Sequence, residues 1–135
     1  MQNPTQLALL KSTPDLAPLF VSELTRYHTG SAMATRRVAK VDIELSGKKI
    51  KAGEGIIASN QSASRDEDVF SDPDVFDILR FAPKEGGGRG ENAWDAMGFG
   101  WGEHRCVAEP LARAEMEIVF GRCAASYRIF CVPDM

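Results

Sequence analysis

Nine consecutive residues, GFGWGEHRC from Gly98 to Cys106, combine three glycines with a histidine, an arginine and a cysteine. A cysteine thiolate is the form that attacks electrophiles and binds metals, and a helix N-terminus favours it through the dipole and unpaired amide hydrogens. Gly100 and Gly102 would let the preceding backbone turn tightly at positive φ and aim amides at the sulfur. The segment therefore predicts a socket for an anionic ligand atom, with His104 and Arg105 as donors for further negative charge.

Three other interpretations of this segment stay open on spacing alone. The glycines could form an ordinary loop, with Cys106 as a small buried residue. A phosphate loop is disfavoured because no strand leads into GFGWG and no lysine follows it. A zinc site made from His104, Cys106 and Cys123 lacks the paired ligand spacing of structural zinc.

A helix is predicted directly after the cysteine, because apolar residues recur there at helical spacing and charged residues take the other side. Pro110 is tolerated only within the first turn of a helix, so this helix is expected to begin at about Cys106 or Val107. The apolar positions are Val107, Leu111, Ala114 and Ile118, and the charged ones are Arg113, Glu115 and Glu117.

The remaining elements are predicted from proline positions and from changes of period. Pro4, after Asn3, starts a short helix, and Pro18 lies in the first turn of a second helix that ends near Gly30. VAKVDIEL, the turn SGKK and IKAGEGIIAS predict a small antiparallel sheet. One turn of helix and then loop follow between 60 and 80, and FAPKEGGGRGENAW is irregular and either functional or mobile. The fold class is mostly α with a small antiparallel β-sheet (α+β).

Composition excludes several classes of function. The chain has 135 residues, 44% of them hydrophobic and 26% charged, which suits one globular domain. A net charge of -3 from interspersed acids and bases offers no basic face to nucleic acid. No run approaches the ~20 apolar residues of a membrane helix. The odd count of 3 cysteines fits reduced thiols in an intracellular protein. We expect a soluble chain.

Three motifs in order resemble those of the cytochrome P450 superfamily. The loop FGWGEHRC is similar to its haem-binding loop, SELTR to its Glu-x-x-Arg pair, and FSDPDVFDILR to its meander region. The matching residues are Phe99, Gly100, Gly102, His104 and Cys106 in the loop, and Glu23 and Arg26 in the pair.

The resemblance implies a role for each matching residue. Cys106 would be the proximal thiolate ligand of the haem b iron, with Phe99 packed beside the iron–sulfur bond. His104 and Arg37 would hydrogen-bond the haem propionates. Arg80 would complete a structural triad with Glu23 and Arg26. The thiolate pushes electron density onto the iron, and amides directed at the sulfur moderate that push.

Three segments, HRCVAEPLARAE, RYHTGSAMATRRVAK and GEGIIASNQSASRDEDVF, resemble the fungal nitric oxide reductase branch. Members of that branch take electrons directly from NADH or NADPH and convert nitric oxide to nitrous oxide. Ala108 stands where most superfamily members have glycine. Arg36 stands where that branch has a lysine that attracts the nicotinamide dinucleotide, and a plain surface arginine is the alternative. Trp94 and Trp101 are predicted as packing residues, although Trp101 is close enough to Cys106 to flank the haem edge. His28 is predicted as a packed or hydrogen-bonded helix residue.

The resemblance covers the C-terminal portion of the fold, so we expect an incomplete, truncated domain. Its expected parts are the helix pair with Glu-x-x-Arg (14–29), small sheet (38–58), meander (66–97), haem-binding loop (98–106), proximal helix (107–124) and divergent tail (121–135). The distal helix and most of the substrate pocket would be missing, leaving an apolar helix face uncovered. Alone, the chain would bind haem weakly and be inactive.

Two other functions remain open: a generic P450 monooxygenase fragment acting on an organic substrate, and a non-catalytic domain without haem. Expected partners are haem and a small molecule, nitric oxide or an organic compound, with neither nucleic acid nor a membrane segment. A cytoplasmic location is expected, and organelle targeting stays open because the family's N-terminal part is absent.

Overall fold

Helix α1 (Pro4–Ser12) and helix α2 (Ala17–His28) follow one another through a 3-10 turn at Pro14–Leu16. Both helices carry a proline in the first turn, as the sequence predicts. A residue in that turn has no intrahelical acceptor for its N–H, so the missing N–H of proline costs no hydrogen bond. The computed structural model describes residues 3–33, 36–83, 92–93 and 96–126. The predictions for the glycine-rich stretch at 84–91, for Trp94 and for the tail at 127–135 lie outside these residues.

Four short strands form two antiparallel pairs. Strand β1 (Arg37–Val38) pairs with β4 (Gly55–Ile56), and β2 (Ile43–Leu45) pairs with β3 (Lys48–Ile50). The structure therefore has two 2-stranded sheets where the sequence predicts one, and between the pairs the Ala52 N–H donates to the Asp42 carboxylate at 2.8 Å. The predicted turn is present: Ser46 and Gly47 have φ values of 50° and 74°, as a tight hairpin requires.

The hydrophobic core lies where α2 meets α1, the segment around Phe76 and the last helix. Phe20 of α2 contacts Phe76 and Phe120 edge to face, with ring centroids 5.8 and 5.0 Å apart. The predicted apolar face of α2 does point into the core. The buried cluster comprises Leu10, Phe76, Ile78 and Ala124, with Leu9, Leu16, Phe20, Leu24 and Tyr27 packed against it.

The last helix, α4, covers Glu109–Ser126 and follows a single turn of helix α3 at Asn60–Ala63. It begins later than the predicted Cys106 or Val107, because the residues before it form a turn in which the Glu109 N–H donates to the Cys106 carbonyl at 3.2 Å. Pro110 does lie in its first turn. None of the described helices is long and apolar enough to cross a membrane.

The apolar stripe of α4 points away from the core. Val107, just before the helix, is 97% exposed, and Leu111 and Ile118 are 63% and 58% exposed. Glu109 and Ala124 are buried instead. Helix α4 therefore packs through its charged first turn and through Phe120 and Ala124 nearer its C-terminus, and the expected uncovered apolar face is present in this chain.

Candidate functional site

Two 3-10 turns, Met97–Phe99 and Gly102–His104, lead the chain to Cys106. Gly100 and Gly102 have φ values of 80° and 71°, in the region that residues with a Cβ avoid. The loop closes on itself because the Cys106 N–H donates to the Phe99 carbonyl at 2.9 Å. These observations confirm the predicted tight, glycine-dependent approach to the cysteine.

The base of the loop is fixed against α2 and the residue after α3. A Cβ on Gly98 would lie 2.6 Å from the backbone oxygen of Thr25, so only glycine lets the loop come this close to α2. Beside it, the Met97 N–H donates to the Ser64 Oγ at 3.0 Å. The start of the loop therefore has little freedom to move relative to α2.

Cys106 is exposed and is a free thiol. It lines a cavity of about 620 Å³ between the first turns of α2 and α4, together with Pro18, Ser22 and Pro110. The interpretation of Cys106 as a small buried residue is therefore wrong. Within the described parts of the chain, no group of three or more His, Cys, Asp or Glu side chains could hold a metal ion, and Cys123 is half-buried in α4.

Behind the loop, Glu23 and Arg26 form a fully buried ion pair on α2. The Arg26 Nε and Nη2 each donate to a Glu23 carboxylate oxygen at 2.8 Å. Arg26 Nη1 donates to the carbonyls of Ser64 and Pro73, also at 2.8 Å. The i, i+3 spacing places both side chains on one face of α2, and that face is turned inward instead of toward solvent.

Arg80 joins the same cluster from the other side, as the resemblance implies. Its Nε donates to Glu23 at 3.3 Å, and its Nη2 donates to the carbonyls of Asp72 and Val75 at 3.1 and 2.9 Å. The Asp77 N–H also donates to Glu23, at 3.0 Å. A single buried carboxylate thus organises the irregular segment from 71 to 80 around α2.

A second charge network, which the sequence reasoning missed, joins the loop to α4. The buried Glu109 carboxylate accepts hydrogen bonds from Arg105 at 2.5 and 2.9 Å and from Arg113 at 2.8 Å. These bonds, chiefly that from Arg105, lower the pKa of Glu109, and the same contact raises the pKa of Arg105. The i, i+4 spacing of the three residues was the signal that could have revealed it.

The other residues assigned by resemblance lie at the surface or beside α4. Phe99 is half-buried, with the Arg113 guanidinium 5.2 Å from its ring centroid. Arg36, Arg37 and His104 are exposed, and among the described residues no hydrogen bond or ion pair connects them to Cys106. Their contacts with haem propionates or a dinucleotide stay predictions.

Two residues predicted to pack are not enclosed. Trp101 is 61% exposed, so the prediction that it is a packing residue is wrong for this chain. It precedes the positive-φ Gly102 and extends from the loop instead of into the core. His28 is also exposed and makes an edge-to-face contact with Tyr27, with centroids 5.2 Å apart.

Comparisons with known proteins agree with one another. The family model described as Cytochrome P450 matches residues 13–135. Cytochrome P450 55A3 of Fusarium lichenicola is 62% identical over 120 residues, which are 89% of this chain and 27% of that protein. Cytochrome P450-terp of Pseudomonas sp is 44% identical over 119 residues, 88% of this chain and 25% of that protein.

Solved structures also match most of this chain but less than a third of their own length. Cytochrome P450-153 of Novosphingobium aromaticivorans has a TM-score of 0.78 at 38% identity, covering 94% of this chain and 29% of that one. CYP109Q5 of Chondromyces apiculatus has a TM-score of 0.78 at 31% identity, covering 92% and 29%. The chain thus spans little more than a quarter of the length of these relatives, and within that part it has their fold.

Proposed function

This chain belongs to the cytochrome P450 family, and on that premise we propose that Cys106 is the residue whose thiolate would hold the iron of haem b. The observation that carries the proposal is the position of the thiol. Cys106 is exposed and unpaired at the end of a loop fixed by two positive-φ glycines. Such a thiol is available to a ligand that approaches from outside, whereas a buried structural cysteine is not.

The residues present fit a haem-thiolate site. A single cysteine sulfur is the protein ligand that this class of haem iron takes, and no cluster of further metal-binding side chains competes with it in the described residues. When bound, the haem supplies the electron-transfer and small-molecule chemistry of the reaction. We assign propionate binding to Arg37 and His104, and packing against the iron–sulfur bond to Phe99.

The chain's own contribution is to hold the sulfur and to moderate its charge. The Cys106 N–H is already bonded to the Phe99 carbonyl, and the Glu109 N–H to the Cys106 carbonyl. We assign the N–H groups of Val107 and Ala108, which precede the first turn of α4, to moderating the thiolate charge. In this proposal the loop both holds the ligand and adjusts its electron donation.

We assign the complete protein to the NADH- or NADPH-dependent nitric oxide reductase type, which reduces nitric oxide to nitrous oxide. The higher identity to the Fusarium relative, 62% against 44% for the Pseudomonas one, supports this branch. Arg36 is assigned to the nicotinamide dinucleotide. A monooxygenase acting on an organic substrate is the second candidate, favoured by a relative named 20-oxo-5-O-mycaminosyltylactone 23-monooxygenase, 40% identical over 121 residues.

The experiment for the haem ligand uses the 135-residue chain produced with added haem. We expect one haem per chain and a thiolate-type Soret band in the reduced carbon monoxide spectrum. Cys106→Ala should lose that band, and Cys123→Ala, the matched control from α4, should keep it. A chain that takes up no haem, or a band that survives in Cys106→Ala, would refute the assignment and favour a domain without haem.

The reaction type is tested on a complete P450 chain that contains this sequence. Nitric oxide consumption with NADH or NADPH alone, without a reductase partner, is expected for the reductase type. Hydroxylation of an organic compound that requires an added electron-transfer partner would instead identify a monooxygenase. Comparing the two nucleotides, and repeating the better one with Arg36→Gln, tests the assignment of Arg36: a higher KM for the nucleotide is expected.

A further inference from the structure

Glu109 is a buried carboxylate close to the proposed iron ligand, and no catalytic step accounts for it. Its side chain is 8% exposed and forms ion pairs with two arginines, Arg105 four residues before it and Arg113 four residues after it. Arg105 Nε lies 2.5 Å from Oε2, and Arg113 Nε lies 2.8 Å from Oε1. A buried carboxylate is costly unless such contacts compensate for its desolvation, so this arrangement is specific.

The two arginines carry the bridge to both sides of Cys106. Arg105 is the residue immediately before the cysteine. Arg113 stacks near the Phe99 ring, and the Phe99 carbonyl accepts the hydrogen bond from the Cys106 N–H at 2.9 Å. Arg113 Nη1 also donates to the Ser22 Oγ of α2 at 3.2 Å. Through these contacts one carboxylate connects the loop, α4 and α2.

We propose that Glu109 is a positioning residue for the haem ligand: by holding Arg105 and Arg113 it fixes the peptide that carries the Cys106 sulfur. The inference rests on the proposed function, because it assigns Glu109 a role toward that ligand. Glu109 touches neither haem nor substrate in this role. It acts only through the two guanidinium groups and the backbone of the loop.

Two roles of Glu109, positioning of the loop and a purely electrostatic effect on the sulfur, predict opposite results when its carboxylate is removed. If Glu109 acted only as a nearby negative charge, Glu109→Gln would remove a repulsive charge from the surroundings of the anionic ligand sulfur, so the thiolate-type band would be unchanged or stronger. If Glu109 positions the loop, the same variant removes the contact between Arg105 and Glu109 and loosens the sulfur, so less of the haem is bound through thiolate. The direction of the change therefore identifies the mechanism.

The first test is made on the haem-loaded 135-residue chain with Glu109→Gln. Glu115→Gln is the matched control, because Glu115 is an exposed glutamate of the same helix. We expect Glu109→Gln to lose part of the thiolate-type band and to release haem to a haem-accepting protein about 10-fold faster, as loss of a supporting contact behind a ligand does. Glu115→Gln should behave as the unsubstituted chain.

The second test needs no haem and measures amide hydrogen exchange. In Glu109→Gln the amides of Arg105 and Cys106, which close the loop, should exchange faster, whereas those of the β2–β3 hairpin should not change. Arg105→Gln breaks the same bridge from its other end and leaves Glu109 paired with Arg113. It should reproduce the faster exchange, which keeps the test valid if Glu109→Gln does not fold.

The outcomes separate this proposal from the assignment of the ligand. A thiolate-type band in the unsubstituted chain that is equal or stronger in Glu109→Gln, with unchanged loop exchange, overturns the positioning role and leaves Cys106 as ligand. Absence of the band from the unsubstituted chain overturns the proposed function. A weakened band with faster loop exchange in both variants supports the positioning role.

Discussion

Substituting Glu23 by glutamine should destabilise the fold far more than removing an exposed carboxylate such as that of Asp74. Glu23 is fully buried and accepts hydrogen bonds from Arg26 at 2.8 Å, from Arg80 at 3.3 Å and from the Asp77 N–H at 3.0 Å. Glutamine keeps one acceptor oxygen. It also turns an NH₂ group toward guanidinium donors, which cannot accept a hydrogen bond from it.

The magnitude follows from the two charges that remain. Arg26 is fully buried and Arg80 is 8% exposed, so Glu23→Gln removes the carboxylate that both interior guanidinium groups share. Breaking a buried ion pair by removing one partner costs about 3–5 kcal/mol. Since the whole stability of a small domain is about 5–15 kcal/mol, the variant should lose a large part of it. The carbonyls that Arg26 and Arg80 bond in the 64–75 segment cannot replace a full negative charge.

The assay is urea unfolding followed by far-ultraviolet circular dichroism. Asp74→Asn is the matched control, because the Arg65–Asp74 ion pair also joins an arginine to a carboxylate but has an 80% exposed carboxylate side chain. That control should change the free energy of unfolding by less than about 1 kcal/mol. If the two substitutions change the free energy of unfolding equally, burial is not the reason why the Glu23 cluster stabilises the fold. Unfolding of Glu23→Gln without any urea is within expectation.

Two further predictions concern packing and pH. Gly98→Ala should destabilise the chain by about 1–3 kcal/mol, because its Cβ would lie 2.6 Å from the Thr25 carbonyl oxygen. In Gly121→Ala the new Cβ would lie 3.5 Å from Ala17, an ordinary contact distance, so this variant should instead stabilise α4 by about 0.5–1 kcal/mol. If urea unfolding shows that both variants destabilise the chain, or that both stabilise it, this contrast is wrong. The lowered pKa of Glu109 stabilises the fold at pH above the usual glutamate range, and this contribution is lost as pH falls through the lowered value. Below about pH 4, the unfolding free energy of the parent should therefore fall more steeply than that of Glu109→Gln, and parallel curves would contradict the assignment.

The sequence predicted the parts of the fold that depend on local signals. Prolines in the first turns of α1 and α2, and the Ser46–Gly47 turn between β2 and β3, lie where the pattern predicted them. The Glu23–Arg26–Arg80 cluster was predicted from a family motif, since an i, i+3 pair alone more often faces solvent. Its burial depends on carbonyl groups of Ser64 and Pro73, residues that no local pattern connects to α2.

The direction of α4 could not be predicted from its sequence. Helical spacing identified an apolar face, and apolar faces usually turn inward, yet Leu111 and Ile118 are exposed while Glu109 is buried. The reason is that Arg105 and Arg113 compensate the Glu109 carboxylate and direct that side of the helix toward α2. Periodicity reports which residues share a face, but not which face the rest of the molecule covers.

Helix α2 is the element that relates the two charge networks to each other. Its Glu23 and Arg26 hold the segment from 71 to 80. One position earlier in the sequence, Ser22 contacts Arg113 and Thr25 contacts Gly98. Residues i and i+3 lie on one helix face. The pair Ser22 and Thr25 therefore lies on a face of α2 next to the face that carries Glu23 and Arg26. A rotation of α2 would therefore shift the loop base and the meander together. Glu109 substitutions should act on the loop, the first turn of α4 and its contact with α2, whereas Glu23 substitutions should act on the whole fold.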